Sequence, residues 1–239
     1  MKTTHVIVRR VWDVTMSNER LPEMERREFL KLAGAAGLSR LAPTAFAANG
    51  RRVAVVVDAE DRVAMSGPVA RAVGKLKQAL VAKGVACDVG HGPGAAKFAA
   101  VCVVVAGPGS RLARGFGRSA ALHDAESMRM TPGKIGDAAA VLVSGADERG
   151  YVYALLELAE RVEFGEDPIA SISLAQAVEE APANEKRCVS RYFCCELEDK
   201  PWFYDRAFWT GYLDRLVASR FNRFSMAFGL EYDFPRGVT

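Results

Sequence analysis

The sequence has little that would hold a metal or a nucleic acid. Only three histidines occur in 239 residues, and His91 and His123 stand without partner ligands at zinc spacing, so both read as surface or loop residues. Five cysteines, at 87, 102, 188, 194 and 195, contain no CxxC pair and lie far below the density of a disulfide scaffold. The odd count leaves at least one thiol unbridged, and the adjacent Cys194 and Cys195 would bridge only with strain, so two ordinary half-buried thiols are expected there. Charge of one sign is missing too: 32 basic and 29 acidic side chains are interspersed and leave a net +3, which excludes a broad phosphate-binding surface and with it nucleic acid as a partner. Nucleotide loops are incomplete. Gly90-His91-Gly92-Pro93-Gly94-Ala95-Ala96-Lys97 lacks the closing Gly-Lys-Ser/Thr of a P-loop, and Gly107-Pro108-Gly109 lacks the third glycine of a dinucleotide fingerprint. Plain loops are expected, with no metal and no cofactor.

What is present is an ordinary globular composition, 50% hydrophobic and 26% charged, enough to bury a core. At the front, Glu25-Arg26-Arg27-Glu28-Phe29-Leu30-Lys31 resembles the twin-arginine export pattern, with Arg26, Arg27, Phe29, Leu30 and Lys31 at the pattern's positions. The apolar run that follows, Leu32 to Leu38, is far shorter than the roughly 20 residues a membrane span needs and reads as the core of a signal peptide. Ala45-Phe46-Ala47 supplies small residues for a peptidase, with a cut before Ala48 or nearby. The resemblance implies an exported protein, periplasmic or extracellular in a bacterium, with the twin-arginine translocation machinery as a partner and no permanent membrane span.

From about residue 50 to 185, strands and helices alternate. Val53 to Val57 is a β-branched run suited to a strand buried on both faces. Ser66-Gly67-Pro68 supplies a cap and a first-turn proline, Val69, Val73, Leu76 and Leu80 recur at helical spacing, and Gly84 closes the helix. Val85 to Val89 and Ala100 to Ala106 read as further strands. Ser127 to Met130 and Ala139 to Val143 are expected to form an antiparallel edge hairpin about a Pro132-Gly133 turn. The alternation predicts an α/β fold, a small sandwich with a mainly parallel sheet.

The segment Val141-Leu142-Val143-Ser144-Gly145-Ala146-Asp147-Glu148-Arg149-Gly150-Tyr151-Val152-Tyr153-Ala154-Leu155-Leu156-Glu157-Leu158-Ala159 is more specific. A strand, a Gly-x-Asp turn, an Arg-Gly step and a helix of this form resemble the end of the small α/β domain that precedes the barrel in hexosaminidase-like and α-glucuronidase-like glycoside hydrolases. Asp147 is placed to cap the helix, and Val152, Leu155, Leu156 and Ala159 lay an apolar stripe toward the sheet.

From Lys186 the aromatics crowd in. Arg187 to Phe193 reads as a strand, Asp205 to Ser219 as a helix, and Phe221 to Phe228 as a second strand, which resembles the opening of a hexosaminidase-type (β/α)8 barrel. The expected organisation is a leader over 1–47, an α/β domain over 48–185 and an incomplete barrel start over 186–239. A barrel fold takes about 250 residues, so the resemblance places the catalytic acid pair on strands beyond Thr239, and no catalytic residue is assigned. It also implies a sugar-gripping arginine at the first barrel strand, for which Arg187 stands in position and Arg191 competes; an ion pair of Arg187 with Glu196, Glu198 or Asp199 is the alternative. Tyr192, Trp202 and Tyr204 are candidates for stacking on a sugar or for packing. The stretch Cys194 to Trp202 is expected to be a long acidic loop. The implied function is the N-terminal fragment of an exported glycoside hydrolase acting on carbohydrate, inactive by itself; a secreted carbohydrate-binding or scaffolding module is the other candidate.

Overall fold

A computed structural model describes residues 52–92, 94, 99–117, 120–193 and 196–228. The twin-arginine segment, the Ala45–Ala48 cleavage region and the Cys194–Cys195 pair lie outside these residues.

The first unit is a six-stranded sheet built from β1 (Arg52–Val57), β2 (Ala86–Gly90), β3 (Val101–Val105), β4 (Met128–Ile135), β5 (Ala138–Gly145) and β6 (Val178–Glu180), in the order β2-β1-β3-β5-β4-β6. The strands β2, β1, β3 and β5 run parallel, while β4 runs antiparallel to both β5 and β6. Central strands buried on both faces require unbroken apolar runs, and Val53 to Val56 and Cys102 to Val105 have no measurable exposure beyond Ala54 at 1%.

Two helices, α1 (Gly67–Ala82) and α2 (Glu148–Phe164), cover one face of this sheet. Val69, Val73, Leu76 and Leu80 point inward from α1, as their spacing predicts. The α2 stripe is broader than expected: Tyr151, Leu158 and Val162 are fully buried with Leu155, whereas Leu156 is only partly covered. The opposite face, with Ala54, Val56, Cys102, Val104 and Leu142, packs against Ala113 and Phe116 of a 3-10 turn over Leu112–Phe116. A short helix α3 (Pro168–Ile172), capped by Asp167, leads into β6.

Three local expectations are corrected. The hairpin turns at Gly136-Asp137, not at Pro132-Gly133, which lie inside β4 opposite Val141 and Ala140. Proline is tolerated there because β6 pairs only with Met128 to Met130, so the rest of β4 is an edge. β6 also makes the hairpin's first half interior to the sheet. Ser66 occupies the N-cap backbone position of α1, yet its Oγ is buried without a hydrogen-bond partner.

The second element set is β7 (Cys188–Phe193), α4 (Glu196–Phe203), α5 (Arg206–Ala218) and β8 (Arg223–Phe228), with β7 and β8 paired in parallel from Cys188↔Arg223 to Phe193↔Phe228. The stretch expected as a long loop is largely the helix α4, which carries Pro201 inside it. Among the described residues no helix is long and apolar enough to cross a membrane.

Candidate functional site

The Gly145-to-Gly150 turn sets the geometry on which the rest depends. A Cβ on Gly150 would stand 2.1 Å from the Ser127 carbonyl oxygen, and one on Gly145 would stand 2.4 Å from the Tyr151 nitrogen. Both positions need glycine for close backbone approach. Within the turn Asp147 accepts from the Gly150 amide at 3.0 Å, capping α2, and its other oxygen accepts from the Glu126 amide at 2.9 Å. That bond holds Glu126 in a left-handed conformation, φ 63°, and aims its side chain at the start of β7.

Glu126 is 7% exposed and surrounded by donors. Arg187 donates to its Oε2, Arg149 to its Oε1 at 2.6 Å, Asn222 to its Oε1 at 2.8 Å, and the Tyr153 hydroxyl lies 3.3 Å away. Burial alone would push the Glu126 carboxyl up, but hydrogen bonds from Asn222, Arg187 and Arg149 outweigh it and hold the group down at about 2. The carboxylate is therefore charged at any physiological pH.

Arg187 is fully engaged. Its Nε donates to the Arg220 carbonyl at 2.6 Å, Nη1 to the Asn184 carbonyl at 2.7 Å, and Nη2 to Glu126 and, at 3.2 Å, to Tyr153. It precedes β7, at the strand's N-terminal end, whereas barrel sites form at C-terminal ends. Sugar contact by Arg187 would require this clasp to open, and the acid it meets is Glu126 rather than an acid of α4.

Arg191 lies on the helix-facing side of β7 with Val189 and Phe193. Its guanidinium stacks 4.0 Å from the Trp202 ring centroid and within 5.5 Å of Phe208 and Tyr212. Trp202 is further held by donating from Nε1 to Asp199 at 2.9 Å. The other face of β7 carries Cys188, Ser190 and Tyr192, and Tyr192, 51% exposed, is nearest the C-terminal end. Tyr204 is 74% exposed.

Two more charged residues tie this segment to the sheet unit. Arg220 pairs with Glu180 and with Glu157 at 3.1 Å, and Asp214 of α5 accepts from Arg71 at 2.8 Å and Lys75 at 2.9 Å of α1. Glu126 and Asp214 were not singled out from sequence: their partners are distant in the chain, and nothing local marks either acid.

No cluster of three or more metal-ligating side chains occurs among the described residues. Burial pushes the Cys87 thiol up to about 11 and shifts Cys102 in the same direction, away from reactivity.

No protein-family model and no curated protein matches the sequence. Solved structures do. A GH138 enzyme targeting pectin rhamnogalacturonan II matches with a TM-score of 0.49 and 22% identity over 73% of this chain and 18% of its own. CpGH84D matches with a TM-score of 0.44 and 10% identity over 79% of this chain and 36% of its own. BtGH115A, a GH115 4-O-methyl-α-glucuronidase with specificity for decorated arabinogalactans, matches with a TM-score of 0.50 and 13% identity over 75% of this chain and 25% of its own. The chain spans well under half of each of these proteins. The likeness to the GH115 enzyme is one of fold: this chain has a glycoside-hydrolase-like fold over three quarters of its length.

Proposed function

We propose that this chain is the N-terminal portion of an exported glycoside hydrolase, in which a non-catalytic α/β domain carries the first strands of a catalytic barrel. The observation that supports this best is the parallel pair β7 and β8, joined through α4 and α5 and following directly on the six-stranded sheet. Parallel strands need a crossover, and a repeated strand–helix unit is how a (β/α)8 barrel grows. The two described strands supply neither a closed barrel nor the two placed carboxyl groups that glycoside hydrolysis takes, so within this proposal activity belongs to further barrel strands.

Within this proposal Arg187 acts as the clasp between domain and barrel, and Arg191 stiffens β7 from the helix side. Tyr192, at the C-terminal end and facing away from the helices, is the side chain placed to stack on a sugar ring. The carbohydrate is the substrate of the whole enzyme, and Arg26-Arg27 direct its export through the twin-arginine machinery.

Two experiments test it. Sequencing the gene past codon 239 is expected to reveal further strand–helix units with a paired acid, and their absence from every frame would sink the proposal. A cell-fractionation assay is expected to find the chain outside the cytoplasm, and the R26K/R27K pair retained within it; export unaffected by that pair removes the twin-arginine part.

A further inference from the structure

A groove of about 510 Å³ opens on the sheet face opposite α1 and α2. That volume suits a mono- or disaccharide-sized ligand. One end lies at the carboxyl ends of β1 and β2, where Asp58, Glu60 and His91 line it; Ser110 and Arg111 form its side, and Lys134 and Gly136 at the tip of the β4–β5 hairpin close the other end. Between β2 and β3 the chain passes from one side of β1 to the other. The carboxyl ends of the strands flanking such a reversal are where open parallel sheets take their ligands.

The walls are fixed in advance. Asp61, after β1, accepts from the Gly107 amide at 2.9 Å, the Tyr151 hydroxyl at 2.8 Å and the Val63 and Ala64 amides at 2.9 and 3.1 Å, which rivets the loops after β1 and β3 together. Ser110 donates to Asp58, whose amide in turn donates to the Val105 carbonyl at 3.0 Å. On the other side a Cβ on Gly115 would stand 2.3 Å from the Lys134 carbonyl oxygen, and one on Gly133 2.5 Å from the Phe116 ring. The 3-10 turn and the hairpin tip are thus in direct contact, and Arg111 and Lys134 border one groove.

Asp58 is held by the fold, its Oδ1 accepting from the Glu60 amide at 3.0 Å and its Oδ2 from Ser110, but the other ionisable side chains inside are not. Glu60, His91, Arg111 and Lys134 make no side-chain hydrogen bond or ion pair to any described residue, whereas Arg149, Arg187 and Arg220 near the β7 boundary are each paired with an acid. Arg111, Lys134, Asp58 and Glu60 line the same ligand-sized space, and this mix of cations and carboxylates fits a ligand that is both anionic and rich in hydroxyl donors. Arg111 offers a planar fork to an acid group, Lys134 a point charge, and the carboxylates accept from hydroxyls.

We infer that this groove is a second carbohydrate site, separate from the barrel, that binds an anionic sugar bearing a carboxylate or a phosphate. It does not depend on the barrel proposal, since every residue involved belongs to the sheet unit.

Isothermal titration of the full chain with galacturonate, glucose 6-phosphate, glucose and inorganic phosphate tests it. At least one of the two anionic sugars is expected to bind ten times tighter than glucose and than inorganic phosphate, and which one does so identifies the acid group. R111A and K134A, both at exposed positions, are expected to keep the wild-type melting temperature and each to weaken that sugar at least fivefold, with R191A leaving it unchanged. Equal binding of glucose, equal binding of inorganic phosphate, absence of binding, or a loss seen in R191A but not in R111A and K134A overturns the assignment.

Discussion

Arg187, one residue before β7, donates to the carboxylate of Glu126, a residue 61 positions earlier that sits in a left-handed turn before β4. The pair is mostly buried, with side-chain exposures of 19% and 7%, and Asn222 and Arg149 complete its hydrogen bonding. Removing one partner of such a pair leaves an uncompensated charge, which costs far more than the pair itself contributes.

Arg187→Ala is therefore expected to destabilise the full chain by about 3 kcal/mol in urea unfolding, and Glu126→Gln by a similar amount. The double variant should lose much less than the sum, because the two residues share one network. Additive losses, or single losses under about 1 kcal/mol, would show that the clasp does not hold β7 to the sheet.

The pH dependence follows from the same residue. Glu126 has an ordinary value of 4.5 and is held at about 2 in the folded chain. A depressed carboxylate contributes stability that is complete above the unfolded value and lost as pH falls through the folded one. Stability is expected to fall between about pH 4.5 and 2, with Asp61 and Asp214, also held low, adding in the same direction. Acid titration of Glu126→Gln, followed by circular dichroism, should show a visibly shallower fall than the wild type.

The glycines separate by position. Gly150→Ala forces a Cβ onto the Ser127 carbonyl and is expected to cost several kcal/mol or prevent folding, whereas Gly74, mid-helix in α1 with nothing within 4 Å, should gain about 0.5–1 kcal/mol on replacement by alanine. Thermal unfolding of the two variants side by side checks this, and a mild Gly150→Ala would mean the turn relaxes.

The Asp214 bridge should be weak. Its partners Arg71 and Lys75 are 56% and 41% exposed, so Asp214→Asn is expected to cost under about 1 kcal/mol, and less in 1 M salt than in 0.1 M. A salt-independent loss above about 2 kcal/mol would instead mark α5 as anchored through this acid.

Much of the sheet was legible beforehand. Short continuous valine runs suit strands covered on both faces, and the α1 positions 69, 73, 76 and 80 fall on one side of a helix at a 3.6-residue period. The Asp147 cap was legible for the same reason, since a helix start requires an acceptor within three residues of the amides it satisfies. The hairpin turn was misplaced because Pro-Gly is strong turn chemistry locally, and only the short reach of β6 made an edge where a proline could sit.

The candidate site was less legible. The chain order could place Arg187 and Arg191 on one strand, but not their opposite fates, one folded back against Glu126 and the other laid under Trp202. What the sequence by itself determined is whatever is periodic or local: strands, helices, caps and the alternation that makes the sheet mainly parallel. The tertiary structure decided which charges meet, because Glu126, Asp214 and Arg220 find their partners only after segments distant in the chain are packed together, and no periodicity encodes that distance.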